Sequence, residues 1–165
     1  MSEHTLILVP KNPWFVPEGE LREQALDFLK SISPTYEWEL NSIRQTPEAQ
    51  NWYDRMWAKC PICGATLDVN AKHDEWLEES LKALGSGSSK TLTMPCCSNR
   101  VPYEDVKFEP EIGYSKCSLG LHEPDYWEVE EAWEETEYGP RLSEDALKKV
   151  EEILGCSVHQ IWRRQ

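Results

Sequence analysis

Cys60-Pro61-Ile62-Cys63-Gly64 decides how the middle of this chain folds. Two thiols separated by two residues can close on one ion only if the backbone turns tightly between them. Glycine after the second cysteine permits the conformation that aims amide N–H groups back at the sulfurs. A second pair follows in Met94-Pro95-Cys96-Cys97. Adjacent side chains in an extended chain point opposite ways, so Cys96 and Cys97 can serve one ion only from a turn. The pattern predicts one structural metal site, zinc by the softness of its thiolate donors, built from Cys60, Cys63, Cys96 and Cys97. Because the second half is not another Cys-x-x-Cys, the fourth ligand is open. Cys97 is the first choice, with Cys117, His122 and His73 as alternatives.

Other chemistries of Cys-x-x-Cys fit less well. In thioredoxin-like redox sites the second cysteine opens a helix whose dipole lowers the thiol pKa. Here Gly64-Ala65-Thr66-Leu67-Asp68-Val69 reads as a strand, and helical spacing starts only after Asn70. Buried thiols with no metal are the plainer alternative, and Cys117 and Cys156, each in an apolar setting, are read that way. Phosphate-binding glycine loops, nucleophile elbows and His-Glu-x-x-His helices are missing. His73-Asp74-Glu75 lacks the second histidine of a metallohydrolase helix, and no His-x-Glu precedes Cys60 as in zinc deaminases. No catalytic residue is singled out.

Outward from the cysteines the chain has a different character. Residues 45–107 read as a metal-stapled, zinc-ribbon-like insertion, with a helix carrying Trp76, Leu77, Leu81 and Leu84 and a Gly85-Ser86-Gly87-Ser88-Ser89 loop. Before it, Thr5-Leu6-Ile7-Leu8-Val9 predicts a buried strand. Leu21, Ala25, Phe28, Leu29 and Ile32 then form a helical stripe, and alternation across 35–41 gives a second strand. After it come a strand over about 113–121, a helix capped by Ser143 and ended by Gly155, and a last strand through Val158, Ile161 and Trp162. The two ends, 1–44 and 108–165, thus predict an α+β, ferredoxin-like β-α-β…β-α-β sandwich.

Composition narrows the function. Hydrophobic residues at 39% and eight tryptophans suffice for a core, so most tryptophans are expected inside. Trp52, Tyr53 and Trp57, just before the knuckle, are expected to seat the insertion on the sandwich. A net charge of −13 argues against nucleic acid and anionic membranes as partners, since phosphate binding needs clustered Lys and Arg. The first apolar stretch stops at Pro10, too short for a signal peptide or a membrane span, which predicts a cytoplasmic protein. In that compartment paired cysteines bind metal more often than they form disulfides. From Glu123 to Glu137 there are eight acidic residues and no Lys or Arg. Val129, Ala132, Trp133 and Thr136 fall at helical spacing, predicting an amphipathic helix with an acidic outer face, either a plain solvated surface or a dock for a basic protein.

Leu8-Val9-Pro10, Cys60-Pro61-Ile62-Cys63-Gly64, Pro95-Cys96-Cys97 and the tail around Leu154-Gly155 together resemble a family of uncharacterised bacterial proteins with a Cys-Pro-x-Cys-Gly…Pro-Cys-Cys signature. The resemblance implies the metal site and a bacterial origin, and it carries no activity. Ser98 stands where that signature would have glycine. The expected function is that of a small acidic zinc-containing binding protein, specifically an immunity or antitoxin protein masking a basic toxin domain. The alternatives are a metal- or carboxylate-dependent enzyme and, behind it, a thiol-disulfide oxidoreductase.

Overall fold

The computed structural model describes residues 4–34, 38–49, 55–127, 129–137 and 139–164, the side chains of 38–40 and 164 excepted. Its elements in chain order are β1 (His4–Pro10), α1 (Gly19–Ile32), β2 (Trp38–Ala49), β3 (Trp57–Lys59), β4 (Thr66–Asp68), α2 (Val69–Lys72), α3 (Asp74–Gly85), β5 (Thr91–Thr93), β6 (Arg100–Pro102), β7 (Lys107–Glu109), β8 (Tyr114–His122), β9 (Trp133–Thr136), β10 (Gly139–Leu142), α4 (Glu144–Leu154) and β11 (Val158–Arg164). The described residues form a mixed α+β protein with four α-helices and several small antiparallel sheets. Among the described residues no helix is long and apolar enough to cross a membrane.

The largest sheet has the order β11-β1-β8-β2, and every neighbouring pair in it is antiparallel. β1 is buried nearly throughout because it lies between two strands and its residues are aliphatic on both faces. Leu6 and Leu8 face α1 and α4, packing with Leu29, Val150 and Leu154. Ile7 and Val9 meet Ile161 on the other face. Gly120 on β8 allows this pairing to close: a Cβ there would strike the Leu6 carbonyl and stand 3.1 Å from Ile7 Cα.

α1 stops before Ser33-Pro34, since the residue before proline avoids helical ψ. α4 starts where Ser143 Oγ accepts the Ala146 N–H and ends at Gly155, whose φ of +74° is the left-handed terminator that glycine adopts most readily. β2 belongs to the main sheet through 38–43 and again at 48–49, with a register shift between Ile43 and Glu48.

A second apolar cluster gathers around α3, the three-stranded sheet β4-β3-β7 and the hairpin β5–β6. Leu77, Leu81 and Leu84 form the inward stripe of α3, against Met56, Leu92, Met94 and Val101. Tyr114, Trp14 and Glu111 tie it to the rest of the chain. Tyr114 Oη donates to the Leu81 carbonyl at 2.7 Å, and Trp14 Nε1 donates to the Leu84 carbonyl at 3.0 Å. Glu111 Oε2 accepts the Gln160 N–H at 3.2 Å and lies 3.3 Å from His159 Nδ1.

Two expectations need correction. The acidic segment is not an amphipathic helix: Glu130–Ala132 is a single 3-10 turn, followed by the antiparallel hairpin β9–β10. The helical spacing was accidental, because the strand that completes the hairpin lies beyond Glu137. There Gly139, at φ +128°, turns the chain, and Arg141 comes opposite Glu134. The tryptophans are also less buried than expected. Of those with described side chains Trp133 is buried, Trp76 and Trp162 are half-buried, and Trp14, Trp57 and Trp127 are exposed. Trp52 and Tyr53 lie outside the described residues.

Candidate metal centre

Each pair of cysteines sits at the tip of a short hairpin, and the two tips share one backbone design. At the β3–β4 tip, Cys60 N–H bonds to the Ala65 carbonyl at 2.9 Å and Gly64 N–H to the Cys60 carbonyl at 3.1 Å. At the β5–β6 tip, Met94 N–H bonds to the Asn99 carbonyl at 2.9 Å and Ser98 N–H to the Met94 carbonyl at 2.8 Å. The equivalence runs residue by residue: Cys60 with Met94, Pro61 with Pro95, Ile62 with Cys96, Cys63 with Cys97, and Gly64 with Ser98. Gly64 has φ +72° and Ser98 has φ +60°, so the serine adopts the left-handed conformation that the turn demands.

This alignment explains the irregular second pair. Where a second Cys-x-x-Cys would carry its first thiol, the chain has Met94, fully buried in the cluster around α3. The missing sulfur is supplied two residues later by Cys96, from the equivalent of the Ile62 position. Adjacent cysteines can converge because both lie within the turn.

The sulfurs of Cys60, Cys63, Cys96 and Cys97 lie within 4.8 Å of one another. Across the tips, Cys60 and Cys97 Sγ are 3.7 Å apart, and Cys63 and Cys96 Sγ are 3.4 Å apart. A regular tetrahedron with metal–sulfur bonds of about 2.3 Å has edges of about 3.8 Å. The four thiols therefore fit the shell of a four-coordinate ion and could bind a metal ion such as zinc. They are too far apart for disulfides, whose bond is about 2.05 Å, and all six cysteines are free.

The electrostatics agree with a cation-binding role. The Cys63 amide N–H, and to a lesser extent that of Ile62, favours the Cys60 thiolate against the opposing effect of burial, and its pKa falls to about 7. Cys96 is pushed up to about 12, first by desolvation and then by the neighbouring sulfurs and the charge on Cys60. The Cys60 thiolate forms readily and its charge opposes ionisation of Cys96, so a nearby cation favours loss of both protons.

Among the described residues no other group of three or more His, Cys, Asp or Glu side chains converges in this way. The alternatives for the fourth ligand are placed elsewhere. Cys117 is buried in β8, where desolvation raises its pKa. His122 is buried with Nδ1 3.1 Å from Thr5 Oγ1. His73 meets Trp76 edge-on with ring centroids 6.5 Å apart. Cys156 is half-buried and is pushed up to about 11, chiefly by desolvation. The residues that sequence reasoning missed are Met94, which fills the vacant ligand position, and Trp76, whose Nε1 donates to the Thr93 carbonyl at 2.8 Å beside the second tip.

Compared with protein-family models, with curated proteins and with solved structures, the chain has no significant match.

Proposed function

We propose that this chain is a zinc-stapled binding protein in which the metal is structural and the acidic surface docks a basic protein. The observation that carries the reading is the donor set: four protein sulfurs lie within 4.8 Å of one another, enough to supply every ligand of a four-coordinate ion. A catalytic zinc keeps one corner for water or substrate, whereas a structural one is closed. Bound there, the ion would supply only charge neutralisation and cross-linking of the two hairpin tips. The 45–107 segment is then a zinc-ribbon-like insertion, and the strand order β11-β1-β8-β2 with α1 and α4 supports a ferredoxin-like sandwich for the remainder. The paired tips also support the resemblance to the Cys-Pro-x-Cys-Gly…Pro-Cys-Cys family.

Docking rests on charge and on one aromatic residue. Glu123, Glu130, Glu131, Glu134, Glu135 and Glu137 are exposed in a chain of net charge −13. Within that stretch Trp127 is 68% exposed, the most open of the large hydrophobic residues among those described. It stacks on Tyr126 at 4.6 Å, which in turn reaches the buried Trp133 at 6.2 Å. An exposed ring held by such a stack is a suitable interface anchor, and acidic neighbours select cationic partners. The specific form we favour is a cytoplasmic immunity or antitoxin protein that masks a basic toxin domain.

The test is affinity purification with the intact chain and with a Glu130→Lys, Glu131→Lys, Glu135→Lys variant, alongside metal analysis. The expected result is about one zinc per chain in both preparations. A basic partner should also be present that is released by salt and lost from the variant. A metal shell with an exchangeable water, or a wild-type preparation without a salt-sensitive basic partner, refutes the reading.

A further inference from the structure

The four thiols are not equivalent, and their difference is arranged across the hairpin tips. Cys60 is 1% exposed and Cys97 is half-buried against the cluster around α3. Cys63 and Cys96 are both exposed, and they face each other from different tips at 3.4 Å, closer than the inner pair at 3.7 Å. The outer side of the centre therefore presents two adjacent sulfurs to solvent, while the inner two are shielded by protein.

We infer that Cys63 and Cys96 form an oxidisable pair, and that a peroxide-class oxidant converts them to a disulfide that releases the metal while keeping the two tips joined. This rests on the zinc reading above. In the first step one exposed sulfur attacks a peroxide oxygen. An S–O bond forms, the O–O bond breaks, and the departing hydroxide takes a proton to become water. In the second step the other sulfur attacks the sulfenic sulfur. The S–S bond forms, the S–O bond breaks, and the second hydroxide leaves as water after protonation. The two thiolates lose two electrons and hydrogen peroxide gains them. Zinc does not change oxidation state; it leaves because two of its four ligands are gone. The sulfurs need to close by about 1.4 Å to reach bonding distance. The inner pair has no comparable access to the oxidant.

The pairing has a structural consequence. Cys63 and Cys96 are 33 residues apart in sequence and belong to separate hairpins. A bond between them replaces the ion as the cross-link, so the oxidised chain keeps its two tips covalently joined.

The test is titration of the purified, zinc-loaded full chain with hydrogen peroxide. Released metal is followed with a chromogenic chelator, and the thiols are mapped by peptide mass spectrometry without reduction. The expected result is release of the bound zinc in parallel with a single Cys63–Cys96 cross-link, with both reversed by dithiothreitol and added zinc. Metal retained while other thiols oxidise, or a Cys60–Cys97 cross-link appearing first, overturns the proposal. A preparation with no metal at the outset overturns the zinc reading instead. On that same metal-free chain the disulfide map still decides the pair, which a Cys63–Cys96 cross-link upholds and any other first cross-link rejects.

Discussion

Gly64 and Ser98 occupy the same place in the two hairpin tips, and their opposite chemistry makes a paired test at the residue scale. A Cβ added at Gly64 meets nothing within 4 Å, so Gly64→Ala carries only the backbone penalty of a left-handed residue, about 1 kcal/mol. Ser98 already bears that penalty at φ +60°, so Ser98→Gly should stabilise the zinc-loaded protein by up to about 1 kcal/mol. Urea denaturation of the two variants should show shifts of opposite sign; equal signs would contradict the equivalence of the tips. The cysteines of this site were legible in the sequence as a pattern. Which of Cys96 and Cys97 holds the regular turn position was not, because an adjacent pair does not reveal it.

Between elements, Glu111 joins the segment after β7 to β11. Burial pushes its carboxyl up, but the His159 side chain, the Gln160 N–H and the charge of Arg141 together hold it below its ordinary value of 4.5. A carboxylate depressed in the folded state contributes stability above its unfolded pKa and loses that contribution as pH falls through the folded value. The stability difference between the wild type and Glu111→Gln should thus be full near neutral pH and shrink below about pH 4.5. The side chain is partly exposed, so screening limits the difference to about 1 kcal/mol or less. Thermal melts across the acid range measure it; a difference independent of pH would show that Glu111 does not act through its charge. At this scale the helices were readable from their caps and stripes, as with Ser143, Gly155 and the leucines of α3. The acidic hairpin was not, because β9 depends on partners three to nine residues further along the chain, and cross-strand pairing leaves no helical period within the segment itself.

For the whole molecule, two large apolar clusters share one chain, and among the described residues the cysteine centre lies in only one of them. With zinc as the staple, chelation should loosen the cluster around α3 and the hairpins β3–β4 and β5–β6 before it affects β1, β8 and α4. Hydrogen exchange after metal removal should show protection lost over 57–109 while 4–10 and 114–122 remain protected; uniform loss would mean that the two clusters unfold together. The order of β1, α1, β2, β8, α4 and β11, the capping of α4 and the choice of cysteines as the candidate centre follow from the sequence by itself, since they rest on local spacing and side-chain chemistry. The convergence of two hairpin tips to within 4.8 Å, the closure of β1 against Gly120 and the exposure of Trp127 were decided only in the tertiary structure. Each depends on contacts between residues far apart in the chain, and local periodicity contains no information about which distant surfaces meet.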